Sequence, residues 1–237
     1  MIGIIGAMES EVRLLLAQIQ DRREIKTGGF TFYTGMLAGQ EAAVVQCGIG
    51  KCAAAACAQQ LIDRFEVQAL VNTGVAGGLA EGLSVGDLVI GAEAVQHDFD
   101  VHLLGYAKGY MCTGGDPQEP TVYRADPELC ALARRAAVRR MGEEHVFSGR
   151  IATGDCFVAA LETKLALRRE FGAAAAEMEG AAIAQVAQLN GVRFLILRVI
   201  SDLAQENAPE SFEGFEERTA HLSSLLVLDM LHALSGQ

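Results

Sequence analysis

Ile2-Gly-Ile-Ile-Gly6, followed by Ala7-Met-Glu-Ser-Glu-Val12, is the stretch whose reading decides the fold. The first five residues carry three β-branched isoleucines and no polar side chain, which suits a short buried strand. Glu9 and Glu11 then open an amphipathic run through Gln20, with Val12, Leu15, Leu16 and Ile19 at helical spacing and the acids where a first turn favours them. The unit reads strand, turn, helix, and it recurs along the chain. Val67–Thr73 is an apolar strand ending in the glycines Gly74, Gly77 and Gly78. Gly86–Gly91, Val146–Ala152, Ala173–Glu177 and Arg193–Ile200 read as further strands. Lys51–Phe65, Asp126–Met141, Ala159–Phe171, Met178–Asn190 and Phe212–Leu234 read as helices. Gly28–Leu37 and Glu41–Cys47 flank Ala38-Gly39-Gln40 as a hairpin, and Gly105–Pro120 reads as a surface loop of the kind that serves binding. Strands alternating with helices predict a mostly parallel sheet sandwiched by helices in one α/β domain over residues 1–237. Such sheets bind ligands at the carboxyl ends of their strands.

Composition agrees with one globular unit. The chain has 237 residues, 51% of them apolar and 21% charged, which argues against disorder and fibrous architectures. The longest run without Asp, Glu, Lys or Arg is 14 residues, short of the roughly 18–20 apolar residues that span a bilayer, so no membrane partner is expected. Met1–Glu9 lacks a basic segment and does not read as a signal peptide; a cytoplasmic location is the expectation. Net charge is −11 and basic residues are scattered apart from Arg134/Arg135 and Arg139/Arg140, a poor match to a nucleic-acid partner. Six cysteines form no C-x-x-C pair and sit mostly in apolar stretches, which predicts buried free thiols.

Three constellations bear on chemistry. Gly48-Ile-Gly50-Lys-Cys-Ala53 matches G-x-G-x-x-A superficially, but the acid expected about 20 residues on has only Asp63 and Glu66 as candidates, so no nicotinamide cofactor is expected. His97-Asp-Phe-Asp-Val-His102 has the composition of a metal site. On an extended segment its two imidazoles face opposite sides, and a loop that packs or hydrogen-bonds is the better reading. Carboxylates, in contrast, follow three strands: Glu9 and Glu11, Glu177 and Glu179, and Asp202 after Ser201. Each one alone is explained by the helix dipole. Three at one sheet edge, without metal ligands, suit general acid/base work on a polyhydroxylated substrate.

Eight segments in register resemble the 5′-methylthioadenosine/S-adenosylhomocysteine nucleosidases of the purine nucleoside phosphorylase superfamily. They are Gly3-Ile-Ile-Gly-Ala-Met-Glu-Ser-Glu11-Val, Cys47-Gly-Ile-Gly-Lys51, Asn72-Thr-Gly-Val-Ala-Gly-Gly-Leu79, Gly86-Asp-Leu-Val89, His97-Asp-Phe-Asp-Val101, Gly154-Asp-Cys-Phe157, Glu177-Met-Glu179 and Ile200-Ser-Asp202. The resemblance implies a single-domain, three-layer nucleoside phosphorylase-like fold with a mixed central β-sheet flanked by helices. It also implies hydrolysis, without a cofactor, of the adenine N-glycosidic bond of small-molecule adenine nucleosides. Glu11 is then the carboxylate that activates water, and Asp202, supported by Ser201, the acid at adenine N7. Met178 and Glu179, within Glu177-Met-Glu179, resemble the ribose-binding pair, and Arg198 resembles an arginine that stands behind the ribose and water site. Phe157 corresponds to the ring that stacks on adenine, Val158 to the backbone that reads its edge, and Gly77 to a substrate-binding position of the glycine-rich segment. Met8, Ile49 and Phe212 resemble the apolar wall around ribose and the 5′ substituent; they are also ordinary core types. A homodimer is implied, in which Val101, Leu104 and Tyr106 close the neighbouring subunit's 5′ pocket. One departure stands out: Val75 replaces the serine common in the family's Asn-Thr-Gly-Ser-Ala-Gly-Gly, removing a hydroxyl near the water site.

Breaking C1′–N9 develops positive charge on the sugar and negative charge on the purine, so a base beside water and an acid near N7 lower opposite ends of one barrier. A phosphorylase of the same fold would need Arg or Lys to cradle phosphate. Gly3–Met8, Gly48–Gly50 and Asn72–Gly78 contain neither. A nucleoside sensor on the same scaffold would need no acid and base pair.

Overall fold

Ile2–Gly6 forms β1, buried from Gly3 onward, and Glu9–Gln18 forms α1, two residues shorter than its apolar spacing suggests. The computed structural model describes residues 1–203 and 208–235, the side chains of 208–214 excepted. Beyond α1 come β2 (Gln20–Thr27), β3 (Phe30–Leu37), β4 (Gln40–Gln46), α2 (Lys51–Phe65), β5 (Ala69–Gly78), β6 (Leu88–Gln96) and β7 (Tyr123–Arg124). They are followed by α3 (Pro127–Met141), β8 (Val146–Thr153), α4 (Leu161–Phe171), β9 (Ala173–Glu177), α5 (Gly180–Leu189), β10 (Arg193–Asp202) and α6 (Ala208–Ser235). Local chemistry sets several boundaries. Asp126 caps α3 by accepting from the Leu129 N–H at 2.9 Å, with Pro127 preset for the first turn. Gly172, at φ +62°, ends α4 in the left-handed conformation that glycine adopts without penalty.

The sheet is mixed rather than mostly parallel: half of the ten strand pairings among the described residues are antiparallel. Its order is β10-β6-β8-β9-β5-β1-β4-β3-β2, with a further pairing of β10 to β5. Strands β5, β10, β6, β8 and β9 therefore close into a ring, and β1, β4, β3 and β2 extend from it. Glycine makes the closure possible. The Gly74–Gly78 segment, read as the end of a strand, continues β5, and Gly77 and Gly78 pair with Ala176 and Ala175 of β9. A Cβ at Gly78 would already lie 3.1 Å from Ile200.

Helices cover both faces. On one side Cys57, Leu61, Ile183 and Ala184 of α2 and α5 pack on Ile5, Val45, Leu70 and Ile196. On the other, Leu15, Leu132, Ala136, Val227 and Met230 of α1, α3 and α6 pack on Ile4, Val44, Val71 and Leu197. Each large aliphatic side chain so buried contributes roughly 1.5–3 kcal/mol. A smaller cluster joins Leu167 and Phe171 of α4 to Leu79 and Val95. The cysteines are free, but only Cys47 and Cys57 are buried, while Cys52, Cys112 and Cys156 are exposed on loops or helix surfaces, correcting the expectation of buried thiols. Among the described residues no helix is long and apolar enough to cross a membrane.

Candidate active site

Two elements hold Glu11. It is the third residue of α1, and its carboxylate turns back on the loop leaving β1, where Oε2 accepts from the N–H groups of Ala7 at 2.6 Å and Met8 at 3.0 Å. Oε1 accepts from the Val75 N–H of β5 at 3.0 Å. Glu11 is 3% exposed. Burial pushes its carboxyl above the ordinary carboxylate range, against the pull of Arg198 and the three backbone donors. Gly74 leaves room for this approach, because a Cβ there would stand 2.7 Å from Glu11 Cδ and 2.8 Å from Arg198 Nη1. The contact from Val75 is a backbone one, so the loss of a hydroxyl at that position leaves it intact.

Arg198, 1% exposed on β10, gathers the other carboxylates. Its Nη2 donates to Asn72 Oδ1 and Glu177 Oε2 and stands 3.7 Å from Glu179 Oε2. Burial disfavours its charge, but Glu177, Glu11 and Glu179 together hold it protonated. Glu177 is fixed in turn by the Thr153 hydroxyl and by the Gly180 N–H at 2.7 Å, since β9 delivers it to the start of α5. Glu179 accepts from the Gly50 N–H at 2.9 Å. Burial, then the like charge of Glu177, push Glu179 up to about 7, with Arg198 and the Gly50 amide opposing. The same surroundings, burial first and then Glu179 and Glu11, push the Cys47 thiol up to about 12 and leave it no nucleophile.

Asp202 closes β10, almost fully buried and opposite Gly77 of β5, and the Ser201 hydroxyl donates to its Oδ2 at 3.0 Å. It lies four positions beyond Arg198, about 13 Å at ~3.3 Å per strand residue. Met8 and Met178 are half-buried beside Glu11 and Glu179 in sequence, and Val158 is buried. Ile49 and Phe157 are 60% and 49% exposed on the loops after β4 and β8. The structure thus brings Glu11, Glu177, Glu179 and Arg198 into one cluster and sets Ser201, Asp202 and Gly77 beyond it on the same two strands. Leu104 and Tyr106 stand on the surface of the chain, with Leu104 73% exposed, and Val101 beside them is half-buried. The side chain of Phe212 lies outside the described residues.

Sequence reasoning missed the groups that hold this cluster. Asn72 donates to the Ile5 carbonyl at 3.0 Å while receiving Arg198. On α6, Ser223 Oγ accepts from the Gly74 N–H at 3.1 Å and lies 2.7 Å from Thr73 Oγ1, and the Ser224 hydroxyl donates to the Glu11 carbonyl at 2.8 Å. A polar pair within an apolar strand and two serines on the apolar side of a helix were the available signals. The two imidazoles find separate partners: His102 Nδ1 lies 2.6 Å from Asp100 Oδ1, and the His97 ring packs 6.5 Å from that of Phe171. Among the described residues no group of three or more His, Cys, Asp or Glu is placed to hold a metal ion.

A buried carboxylate with a raised proton affinity, an arginine ringed by acids and a second acid along the strand can bind a polyhydroxylated molecule and move protons at both of its ends. The chain belongs to the phosphorylase superfamily, whose model matches residues 1–232. Within that class it is 44% identical over 236 residues to the 5′-methylthioadenosine/S-adenosylhomocysteine nucleosidase of Geobacillus thermodenitrificans, covering 99% of this chain and 98% of that protein. It is similar, at TM-score 0.90 and 39% identity over 98% of both chains, to the corresponding Neisseria meningitidis nucleosidase in complex with methylthio-immucillin-A. It is also similar to the futalosine hydrolase of Helicobacter pylori, at TM-score 0.89 and 36% identity over 97% of this chain and 96% of that one.

Proposed function

We propose that this chain is an N-glycosyl hydrolase that cleaves the adenine–ribose bond of 5′-methylthioadenosine and S-adenosylhomocysteine, and of 5′-deoxyadenosine, releasing adenine and the 5′-substituted ribose. Methionine salvage and recycling of S-adenosylmethionine by-products are the corresponding context. The observation that carries the reading is Glu11, buried, raised in proton affinity and held on both carboxylate oxygens by backbone amides. In this role it takes a proton from water as that water attacks C1′. Ribose lies over Arg198 and the Met178–Glu179 turn, with Glu179 taking its hydroxyls and Glu177 holding Arg198 in place. Adenine lies toward Gly77, between the Phe157 ring and the Val158 backbone, where Asp202, held by Ser201, donates to N7. Met8, Ile49 and Phe212 wall the sugar and its 5′ substituent. No cofactor enters this scheme.

Water rather than phosphate is the nucleophile that the charges favour. Arg198 already faces Asn72, Glu177 and Glu179, so an incoming dianion would meet carboxylates without a free cationic partner in the cluster. We further propose one catalytic domain over 1–237, working in the cytoplasm as a homodimer. The exposed Leu103, Leu104 and Tyr106 support a pairing in which Val101, Leu104 and Tyr106 cover the partner's 5′ pocket.

Adenine release from each nucleoside, in phosphate-free buffer with EDTA, tests the reaction. The free sugar is expected as product, a 5-thioribose from the two thionucleosides and 5-deoxyribose from 5′-deoxyadenosine. A sugar 1-phosphate formed only with added phosphate, or no adenine at all, would contradict the proposal.

A further inference from the structure

Three segments far apart in sequence meet in a closed hydrogen-bond ring outside the carboxylate cluster. Lys51, the first residue of α2, donates from its backbone N–H to Asp155 Oδ1 at 2.8 Å. The Asp155 N–H donates to Asp98 Oδ2 at 2.9 Å. Asp98 Oδ1 accepts from Lys51 Nζ at 2.6 Å, which returns the ring to its start. Lys51 Nζ also reaches Gln96 Oε1 at 3.2 Å, and Gln96 Nε2 donates to Gln185 Oε1 of α5 at 2.7 Å. The ring is partly sheltered, with the Lys51 and Asp98 side chains 19% and 27% exposed. In such a setting charge-assisted hydrogen bonds are worth more than surface ion pairs.

What the ring joins gives it significance. Immediately before Lys51 stand Ile49 and Gly50, and the Gly50 N–H holds Glu179 at 2.9 Å. Gly50 has φ +102°, and a Cβ there would lie 3.1 Å from Asp155 Oδ1, so two loops meet at a glycine-only position. Two and three residues after Asp155 come Phe157 and Val158. We propose that Asp98 is a positioning residue that, through Lys51 and Asp155, locks the adenine-side loop carrying Phe157 to the ribose-side loop carrying Ile49 and Gly50, so that the nucleoside cleft is formed before substrate arrives. The inference rests on the functional reading above, which puts adenine at Phe157 and ribose at Glu179. In this proposal Asp98 acts through its bonds to Lys51 and Asp155 rather than on the substrate. Its loss therefore reduces the fraction of molecules with both loops in place, and apparent affinity falls by that fraction while the chemistry of bound substrate persists.

The test compares wild type, Asp98→Ala, Asp98→Asn and Phe157→Ala, alone and as the Asp98→Ala/Phe157→Ala pair. Adenine affinity is measured by calorimetry, kcat and KM by adenine release, and amide hydrogen exchange at Lys51 and Asp155 in the unliganded chain. Asp98→Ala is expected to weaken adenine binding and raise KM on the order of tenfold with kcat within about threefold, and to speed exchange at both amides. Asp98→Asn keeps one of the two acceptors and is expected to fall between; it also serves if the alanine variant folds poorly. In the Phe157→Ala background the Asp98→Ala effect should shrink to about twofold, because the loop then carries no ring to position. Unchanged affinity in Asp98→Ala, a loss confined to kcat, or full additivity in the pair would overturn the proposal. Wild type that neither binds nor releases adenine would instead overturn the functional reading, and amide exchange would still decide whether Asp98 holds the two loops.

Discussion

Glu179→Gln removes a charge that the folded chain resists, and its effect on stability is set by pH. Burial and Glu177 push the Glu179 carboxyl from the usual 4.5 to about 7 in the folded chain. Between those values the native state holds a proton that the unfolded chain has released, so wild-type stability through this group falls as pH rises from about 4.5 to 7 and stays lowered above that. At ~1.4 kcal/mol for each pH unit, the full difference amounts to about 3 kcal/mol. Glutamine keeps an oxygen for the Gly50 N–H and carries no titratable proton, so the variant escapes this loss. Relative to wild type, Glu179→Gln should gain stability progressively across that window, by roughly 6–12 °C in Tm at pH 8 against pH 4.5 if each kcal/mol moves Tm by about 2–4 °C. Thermal melts of both proteins at half-unit pH steps, in buffers of constant ionic strength, give the difference directly. Curves that run parallel from pH 4.5 to 8, or a variant that loses ground as pH rises, would refute the assignment of a buried, like-charge-strained carboxylate.

Gly74→Ala places a methyl 2.7 Å from Glu11 Cδ and 2.8 Å from Arg198 Nη1, so the carboxylate must move off its amides. A loss of kcat of at least about 10²-fold with destabilisation of about 1–3 kcal/mol is expected, read from steady-state kinetics and urea melts. Phe157→Ala should raise KM and leave kcat largely unchanged, because in its proposed role the ring stacks on adenine in ground and transition states alike. On the acid side, kcat/KM should fall with a midpoint above the usual carboxylate value of 4.5, since Glu11 in its proposed role as base must be unprotonated and burial has raised its affinity for a proton; a pH profile from 4 to 9 reads the midpoint.

The alternation of apolar strands and helices was legible because buried segments write their period into local sequence. Lys51–Phe65 and Ala173–Glu177 run as read, and Asp126 caps α3. The β2 strand was not legible: Gln20–Thr27 is exposed at all but its last residue, pairs only at the sheet edge, and carries no alternation. Strand direction was equally hidden, because ring closure through Gly77 and Gly78 depends on partners about a hundred residues away rather than on periodicity. For the site, carboxylates at strand ends could be read, and their order along the chain matched a family. Asn72, Thr153, Ser223 and Ser224 could not be assigned, since their purpose is visible only once three elements meet around Glu11 and Arg198.

Glu11 as base and Asp202 as acid is the central claim, and single-turnover adenine release by Glu11→Gln and Asp202→Asn tests it most directly. Both substitutions keep side-chain shape and remove the proton-transfer function, so at saturating 5′-methylthioadenosine each should slow the chemical step by about 10²-fold or more while adenine binding persists. Near-normal single-turnover rates in either variant would contradict the account, reducing Glu11 to a cap on α1 or Asp202 to a buried partner of Ser201.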